Sequence, residues 1–267
     1  MLDVLSIGNA NIDIYPGKEF FPGGSANNFA VNCARLGLKS GFLGFVGNDK
    51  NGKLIIGNLK KNKVKSFIKT IDEKTGTVKI LSKGFKKKFE KSLGANKELK
   101  KLKLKPYFKT AKHIHLATPP IELLKQLTPE LSVSIDSGSA LSKYSLSTLE
   151  PYLKNISIFF ANEAEAKKIT GKECETAAND FLNAGIKIIV IKKAKTGIYI
   201  KTEKQEIKIK YLKAKIVDST GAGDALASAF IQSMLKGKSI KEAGKAGIIF
   251  STNKMKFLGA QSSQKTK

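Results

Sequence analysis

The chain has 267 residues, 41% of them apolar, and a formal charge of +26. This length fits one large α/β domain, or one domain with a small insertion, and no run approaches the ~18 apolar residues of a membrane span. The charge would suit a nucleic-acid partner, yet Arg35 is the one arginine among 48 Lys and Arg, and forked guanidinium groups favour phosphate and base readout.

The start, "MLDVLSIGNANIDI", carries an early acid and no basic segment, so it reads as a buried strand and not as a signal peptide. Asp13 follows that strand's carboxyl end, where open α/β sheets place ligands, and a carboxylate there accepts sugar hydroxyls. Gly23 and Gly24 form a tight turn, Ser25 is a candidate cap, and a helix runs from Ser25 to Leu36. Its buried face carries Ala26, Phe29, Ala30, Cys33 and Ala34, and Gly37 ends it. Asn27 and Asn28 stand at its opening turns, where amides either cap the surface or bond a ligand's hydroxyls. "SGFLGFVG" reads as a strand and about 52–61 as a helix; 63–84, rich in lysine and β-branched residues, reads as strands projecting from the main sheet as a lid. "HIHLA", "SVSIDS", "ISIFFAN" and "IKIIVIKK" are strands separated by helix-length segments. This alternation predicts an α/β fold with a doubly wound, mostly parallel sheet flanked by helices. "GIYIKTEKQEIKIKYL" alternates with period two and reads as an antiparallel hairpin, and "LKAKIV" as the end of a strand.

Several residues have bland readings. Cys33 and Cys174 are too far apart for a disulfide framework or metal knuckle and read as reduced core residues of a cytoplasmic protein. His113 and His115 share one strand face, but no third ligand stands at a telling spacing. The lysines, denser at 83–91 and 97–105, read as a solvated surface that also draws anionic substrates. Asp136, at a strand's end, reads as a cap or a site-lining residue.

"DSTGAGDALASAF" (218–230) is the most informative stretch. Gly221, Ala222 and Gly223 let an anion approach the unpaired N–H groups of a helix start. No Gly-Lys-Ser/Thr follows, so it is not a Walker loop, and Leu226 occupies the third glycine of a dinucleotide fingerprint. Asp224 would repel the anion unless it has a task, and accepting the proton of an attacking hydroxyl is such a task.

"GNANID", "GGSANNFAVNCARLG", "FLGFVGNDKNG", "NEAE" and "DSTGAGDALASAF", in this order, resemble the ribokinase-like carbohydrate kinases of the phosphofructokinase-B type, from Gly8 to "FLGAQ". The resemblance implies a ribokinase-like fold and transfer of the γ-phosphoryl group of ATP, with Mg²⁺, to a hydroxymethyl group of a sugar or nucleoside. It implies Asp224 as general base and the N–H groups of Gly221, Ala222, Gly223 and Asp224 as an anion hole. Asp13, Gly23, Gly24 and Asn28 would hold the acceptor, and Asn162 and Glu165 would act through metal-bound water. Lys193, Lys195, Thr196, Gly197 and the segment 246–253, ending at Asn253, would line the nucleotide; Thr75 and Gly76 would lie near substrate. Only nine residues separate Asp13 from Gly23, so the expected lid, about 63–91 with 13–22, is a reduced one within a single domain over 1–267. A homodimer is among the expected partners. Ala194 stands where the family commonly has glycine, and Arg35 looks structural, which favours an unphosphorylated acceptor. The alternative is a basic nucleic-acid-binding protein on a kinase-like scaffold without turnover; the scarcity of arginine and of aromatic stripes argues against it.

Overall fold

The structure, a computed structural model, describes residues 1–17, 19–81, 88–194 and 196–262. The first half holds β1 (Leu2–Gly8), β2 (Asn11–Tyr15), β3 (Glu19–Gly23), α1 (Ser25–Arg35), β4 (Ser40–Leu43), β5 (Phe45–Gly47), α2 (Lys50–Lys61), β6 (Lys65–Ser66), β7 (Lys69–Ile71), β8 (Gly76–Ile80) and β9 (Phe89–Ser92). A 3-10 helix at Gly94–Lys101 leads back to β10 (Ala111–Ala117), α3 (Ile121–Leu124), β11 (Val133–Asp136), α4 (Gly138–Leu141) and α5 (Leu146–Leu153). Then follow β12 (Ile158–Asn162), α6 (Glu163–Thr170), α7 (Cys174–Asn183), β13 (Ile188–Lys193), β14 (Gly197–Lys201), β15 (Glu206–Ile209), α8 (Ala222–Leu235) and α9 (Ile240–Lys254).

Among the described residues the main sheet has nine strands in the order β15-β14-β13-β12-β11-β10-β1-β4-β6. All pairs from β13 to β6 are parallel, whereas β13-β14-β15 is the antiparallel hairpin expected from period-two alternation. The chain leaves β1 toward β4 on one side and returns to β10 on the other. The strand order therefore reverses at β1, and the crevice beyond the carboxyl ends of β1 and β10 is where such sheets bind ligands.

Helices cover both faces, as apolar strands buried on two sides require. Phe29 and Cys33 of α1 share one buried cluster with Leu226 and Phe230 of α8 and with Val4, Ile158 and Val190 of the sheet. Leu149, Ala166, Ala177 and Phe181 of α5 to α7 pack on the other face with Ile7, Leu116 and Ile191. Packing α1 against α8 joins residues nearly 200 positions apart, and this brings the two glycine turns together.

A second sheet, β3-β2-β8-β9, stands beside the crevice. The 63–84 stretch divides: β6 pairs with β4 at the edge of the main sheet, β7 pairs with β5, and only β8 joins the small sheet. Residues 82–87 of the expected lid lie outside the described residues. "LKAKIV" (212–217) pairs with no strand, contrary to expectation. Its alternation makes the chain extended, but β15 already closes that end of the described sheet, and the N–H groups of Val217 and Asp218 donate instead to the Met255 carbonyl.

Candidate active site

The acceptor side is built where β2 and β3 meet. Asp13 is 4% exposed, and its Oδ1 accepts from Asn11 Nδ2 at 2.7 Å. Gly23 is required opposite: a Cβ there would stand 2.3 Å from Asp13 Oδ2. Burial raises Asp13 to about 7, assisted by the charges of Asp224 and Asp218, while the Asn11 bond opposes the rise. Asn96 fixes the adjoining loop by donating to the Ala10 carbonyl at 2.9 Å and accepting from the Ala10 N–H at 3.1 Å.

The second turn opens α8. Gly221 has φ 76°, a left-handed conformation that glycine adopts at no cost, and α8 starts with no side-chain cap. The first-turn N–H groups consequently lack helical acceptors, although that of Ala222 reaches Ser219 O at 3.2 Å. Asp218 shapes the turn: its Oδ1 accepts from the Thr220 N–H and hydroxyl at 2.9 and 2.8 Å, and its Oδ2 from Tyr15 at 2.6 Å and the Gly259 N–H at 2.9 Å.

Asp224 lies in the first turn of α8, and its Oδ2 accepts from Asn28 Nδ2 at 2.7 Å. Burial raises Asp224 to about 6; the Asn28 bond lowers it and the Asp136 charge raises it. Asp13, Asn28 and Asp224, distant in sequence, line one cavity of about 560 Å³ with Gly24, Ser25 and Gly221. Lys91, Lys97, Lys100 and Lys143 also line it.

On the other side of the turn, Lys192 Nζ donates to Asp136 Oδ2 at 2.6 Å, with the two side chains 14% and 8% exposed. A Cβ on Gly223 would stand 3.2 Å from this ammonium, so Lys192 lies against the anion turn. Burial pulls its proton affinity down, but the neighbouring Asp136 and Glu165 carboxylates outweigh that and hold it above the ordinary lysine value. Asn162 caps α6 by accepting from the Glu165 N–H at 2.8 Å, and Glu165 Oε2 accepts from the Asn162 N–H at 2.9 Å and from Ser137 at 3.2 Å.

The structure thus brings together Asp13, Gly24, Asn28, Gly221 and Asp224, with Gly23 packed behind Asp13. Gly223, Asn162 and Glu165 fall beside Lys192 or Asp136. Other residues singled out in the sequence fall elsewhere or take other partners. Lys193 points away, pairing with Glu163 at 3.5 Å, while Thr196 N–H donates to its carbonyl at 3.2 Å. Gly197 pairs with Lys193 at the β13-β14 turn, and Lys195 lies outside the described residues. Asn253 is exposed on α9 and accepts from Lys256 at 3.0 Å, off the cavity wall, because α9 turns Ser251 and Thr252 inward instead. Ser25 is not the cap; Gly24 takes that position and Ser25 lines the cavity. Thr75 is committed to Asp49, donating at 2.6 Å, and Thr77 and Val78 line the cavity two and three positions on. His113 and His115 are buried core residues bonded to Ser132 and Ser134, in keeping with their bland reading. Sequence reasoning missed Lys192, whose signal was parity: in "IVIKK" it alternates with Val190, which faces the α8 side. It also missed Thr118, which has φ 49° at the end of β10 and lines the cavity.

Comparisons with known proteins place the chain among kinases. An uncharacterized sugar kinase of Archaeoglobus fulgidus is 28% identical over 244 residues, covering 86% of this chain and 97% of its own. A nucleoside kinase of Methanocaldococcus jannaschii is 28% identical over 267 residues, covering 97% of this chain and 86% of its own. The solved ribokinase of Thermotoga maritima superposes with a TM-score of 0.85 at 26% identity, covering 98% of this chain and 95% of that one. Fold and relatives define a sugar or nucleoside kinase of ribokinase-like architecture, a phosphotransferase that acts on an alcohol group. The match to the pfkB family carbohydrate kinase domain runs over residues 1–267, and the chain belongs to that family.

Proposed function

We propose that this kinase transfers the γ-phosphoryl group of ATP, with Mg²⁺, to a hydroxymethyl group of a sugar or nucleoside, with Asp224 as general base. One observation carries the reading: the Asp224 carboxylate stands in the first turn of α8, on the wall of the cavity it shares with Asp13 and Asn28. A cavity of about 560 Å³ suits a small metabolite, since ligand pockets span roughly 300–1,000 Å³.

Asp224, raised to about 6, is ionised at neutral pH and close to the ideal range for a general base. It is too weak to ionise an alcohol beforehand. It orients the acceptor hydroxyl and takes its proton late, as the new oxygen–phosphorus bond forms, the bond from the γ-phosphorus to the bridging oxygen breaks, and ADP departs. The first-turn N–H groups of Gly221, Gly223 and Asp224 stabilise the equatorial oxygens in flight, and the Lys192 ammonium beside Gly223 adds a full charge there. Asp13 Oδ2, left open by the Asn11 bond on Oδ1, accepts acceptor hydroxyls. The turn carrying Lys193, Thr196 and Gly197 borders the nucleotide, and the lysines lining the cavity attract anionic donors. The donor set fits a hydrated Mg²⁺: Glu165 spends Oε2 on Asn162 and Ser137, so Oε1 would hold a metal-bound water. Mg²⁺, when bound, neutralises phosphate charge. The β3-β2-β8-β9 sheet serves as a reduced lid on a single domain.

The test measures the spent nucleotide (ADP, AMP or GDP) and phosphorylated product with ribose, fructose, their phosphates, adenosine, cytidine and guanosine, using ATP, ADP and GTP as donors. The expected result is turnover with ATP and at least one hydroxymethyl acceptor. Absence of turnover throughout, with salt-dependent binding to random DNA, would overturn the reading in favour of the nucleic-acid alternative.

A further inference from the structure

The mechanism above leaves unused a line of side-chain amides that ends on the base. Arg35, the chain's one arginine, donates from Nε to Asn62 Oδ1 at 3.0 Å. Asn62 Nδ2 donates to Asn58 Oδ1 at 3.2 Å, and Asn58 Nδ2 donates to Gln261 Oε1 at 2.7 Å. Gln261 Nε2 donates to Asn28 Oδ1 at 2.9 Å, and Asn28 Nδ2 donates to Asp224 Oδ2 at 2.7 Å. Every amide accepts from the side remote from the active site and donates toward it. A guanidinium has no acceptor and an ionised carboxylate has no donor, so the two ends together allow only this polarity. Arg35 also donates from its terminal nitrogen to the Gln261 backbone carbonyl, so the planar guanidinium fork holds both Asn62 and Gln261.

We propose that Gln261, anchored by Arg35 and Asn58, is a positioning residue that locks the Asn28 amide as a donor to Asp224 and thereby keeps the base ionised in its buried site. The inference rests on the assignment of Asp224 as base. An amide free to turn would offer Oδ1 to a protonated Asp224 and stabilise the wrong state. With Gln261 donating to Oδ1, that orientation is closed, and the chain of aligned amides strengthens each bond along it. The charged groups around Asp224 are Asp136 and Lys192 across the turn and Asp13 on β2; none changes in the variants below.

Gln261→Glu reverses the line, because a carboxylate at 261 draws the Nδ2 groups of both Asn58 and Asn28 and turns Asn28 Oδ1 toward Asp224. Gln261→Leu interrupts it without reversing it. Arg35→Gln removes the donor-only end. Two readouts are taken on the full chain: the pH dependence of kcat, and the Asp224 carboxyl titration by ¹³C NMR with labelled aspartate, assigned by loss of the signal in Asp224→Asn. Both should move up by about one unit in Gln261→Glu, less in Gln261→Leu and least in Arg35→Gln. At pH 6, where about half of the wild-type base is ionised, the first change corresponds to roughly a five- to sixfold fall in kcat, with acceptor KM nearly constant. A purely structural role would lower the melting temperature and leave the carboxyl titration in place in the charge-neutral Gln261→Leu, where no added charge acts on Asp224, and that result in folded Gln261→Leu overturns the proposal. The NMR arm stands whether or not the wild-type chain turns over any acceptor, so a failed kinase reading is told apart from a failed relay.

Discussion

The two sides of the anion turn hold their carboxylates in opposite ways. On the acceptor side, Asp13 and Asp224 take hydrogen bonds from Asn11 and Asn28. An amide orients a carboxylate without cancelling its charge, so burial shows as raised proton affinity, about 7 for Asp13 and about 6 for Asp224. On the far side, Asp136 takes its bond from the Lys192 ammonium, and the pair is buried with its charges offset. The first arrangement suits a group that must accept a proton. The second suits a fixed positive charge beside a migrating phosphoryl group. The turn at Gly221 is the border between the two, and the following substitutions exchange their properties.

The largest effect is expected from Asp224→Asn, which removes the proton acceptor and keeps its shape. Single-turnover measurements should show a fall in kcat of about 10²–10⁴-fold, with the nucleotide Kd by calorimetry unchanged. The same substitution should stabilise the protein at pH 8. A carboxyl whose folded value is raised contributes stability that is full below the unfolded value, near 4, and lost as pH rises through about 6. Asparagine escapes that loss, worth about 1–3 kcal/mol, or several degrees in Tm. An inactive variant that melts lower than wild type at pH 8 would break the burial side of the comparison.

Lys192→Met should reduce kcat by about 10²–10³-fold, the scale for one transition-state donor. It also strands Asp136, and breaking a buried pair costs about 3–5 kcal/mol. The double variant Lys192→Met/Asp136→Leu separates the two effects: chemical denaturation should show stability restored, and assays should show turnover still lost. Recovery of turnover in the double variant would reduce Lys192 to a neutraliser of Asp136. Asp13→Asn should act on binding instead, raising acceptor KM by roughly 10–100-fold through loss of charge-assisted hydrogen bonds; an unchanged KM would remove Asp13 from the acceptor side.

Much of this organisation was legible in the sequence, for identifiable reasons. Parallel strands buried on both faces give continuous apolar runs, so β10 to β13 were readable from "HIHLA" to "IKIIVIKK". The glycine turns were readable because Gly23 and Gly221 meet demands no other residue meets: contact with a carboxylate, and a left-handed backbone. Extended backbone was misread as strand at "LKAKIV", because alternation reports backbone shape and not a partner. Lys192 was passed over because adjacent lysines differ only in strand parity, and one residue separates its buried ion pair from the surface contact of Lys193. Which face of α9 meets this cavity was not readable, because it depends on the packing of α9 on α8, and Asn253 falls off the cavity wall. The amide line through Gln261 was invisible, since its members come from two helices and the C-terminal segment.

A third kind of buried titratable group sharpens the comparison from beneath. His113 and His115 lie on β10 under α1, with hydroxyl partners: Ser132 and Ser134 on His113 at 2.8 and 2.7 Å, and Ser134 on His115 at 2.8 Å. His115 also stacks on Phe29 at 3.7 Å, directly behind the turn of α1 that carries Asn28. Hydroxyls satisfy the neutral rings but supply no countercharge, and burial lowers His113 to about 4 and His115 well below the ordinary value. The sign is opposite to that of Asp13 and Asp224: stability is full above about 6.5 and lost as pH falls through the folded value. His113→Gln keeps an amide for the serines and cannot titrate. Relative to wild type, it should gain about 2 kcal/mol at pH 5 over its difference at pH 7.5, with kcat/KM at pH 7.5 unchanged. Melting curves of His113→Gln and Asp224→Asn against pH should therefore separate from wild type at opposite ends of the scale. Parallel offsets across the whole range would mean that neither buried group is linked to protons in the way its partners dictate.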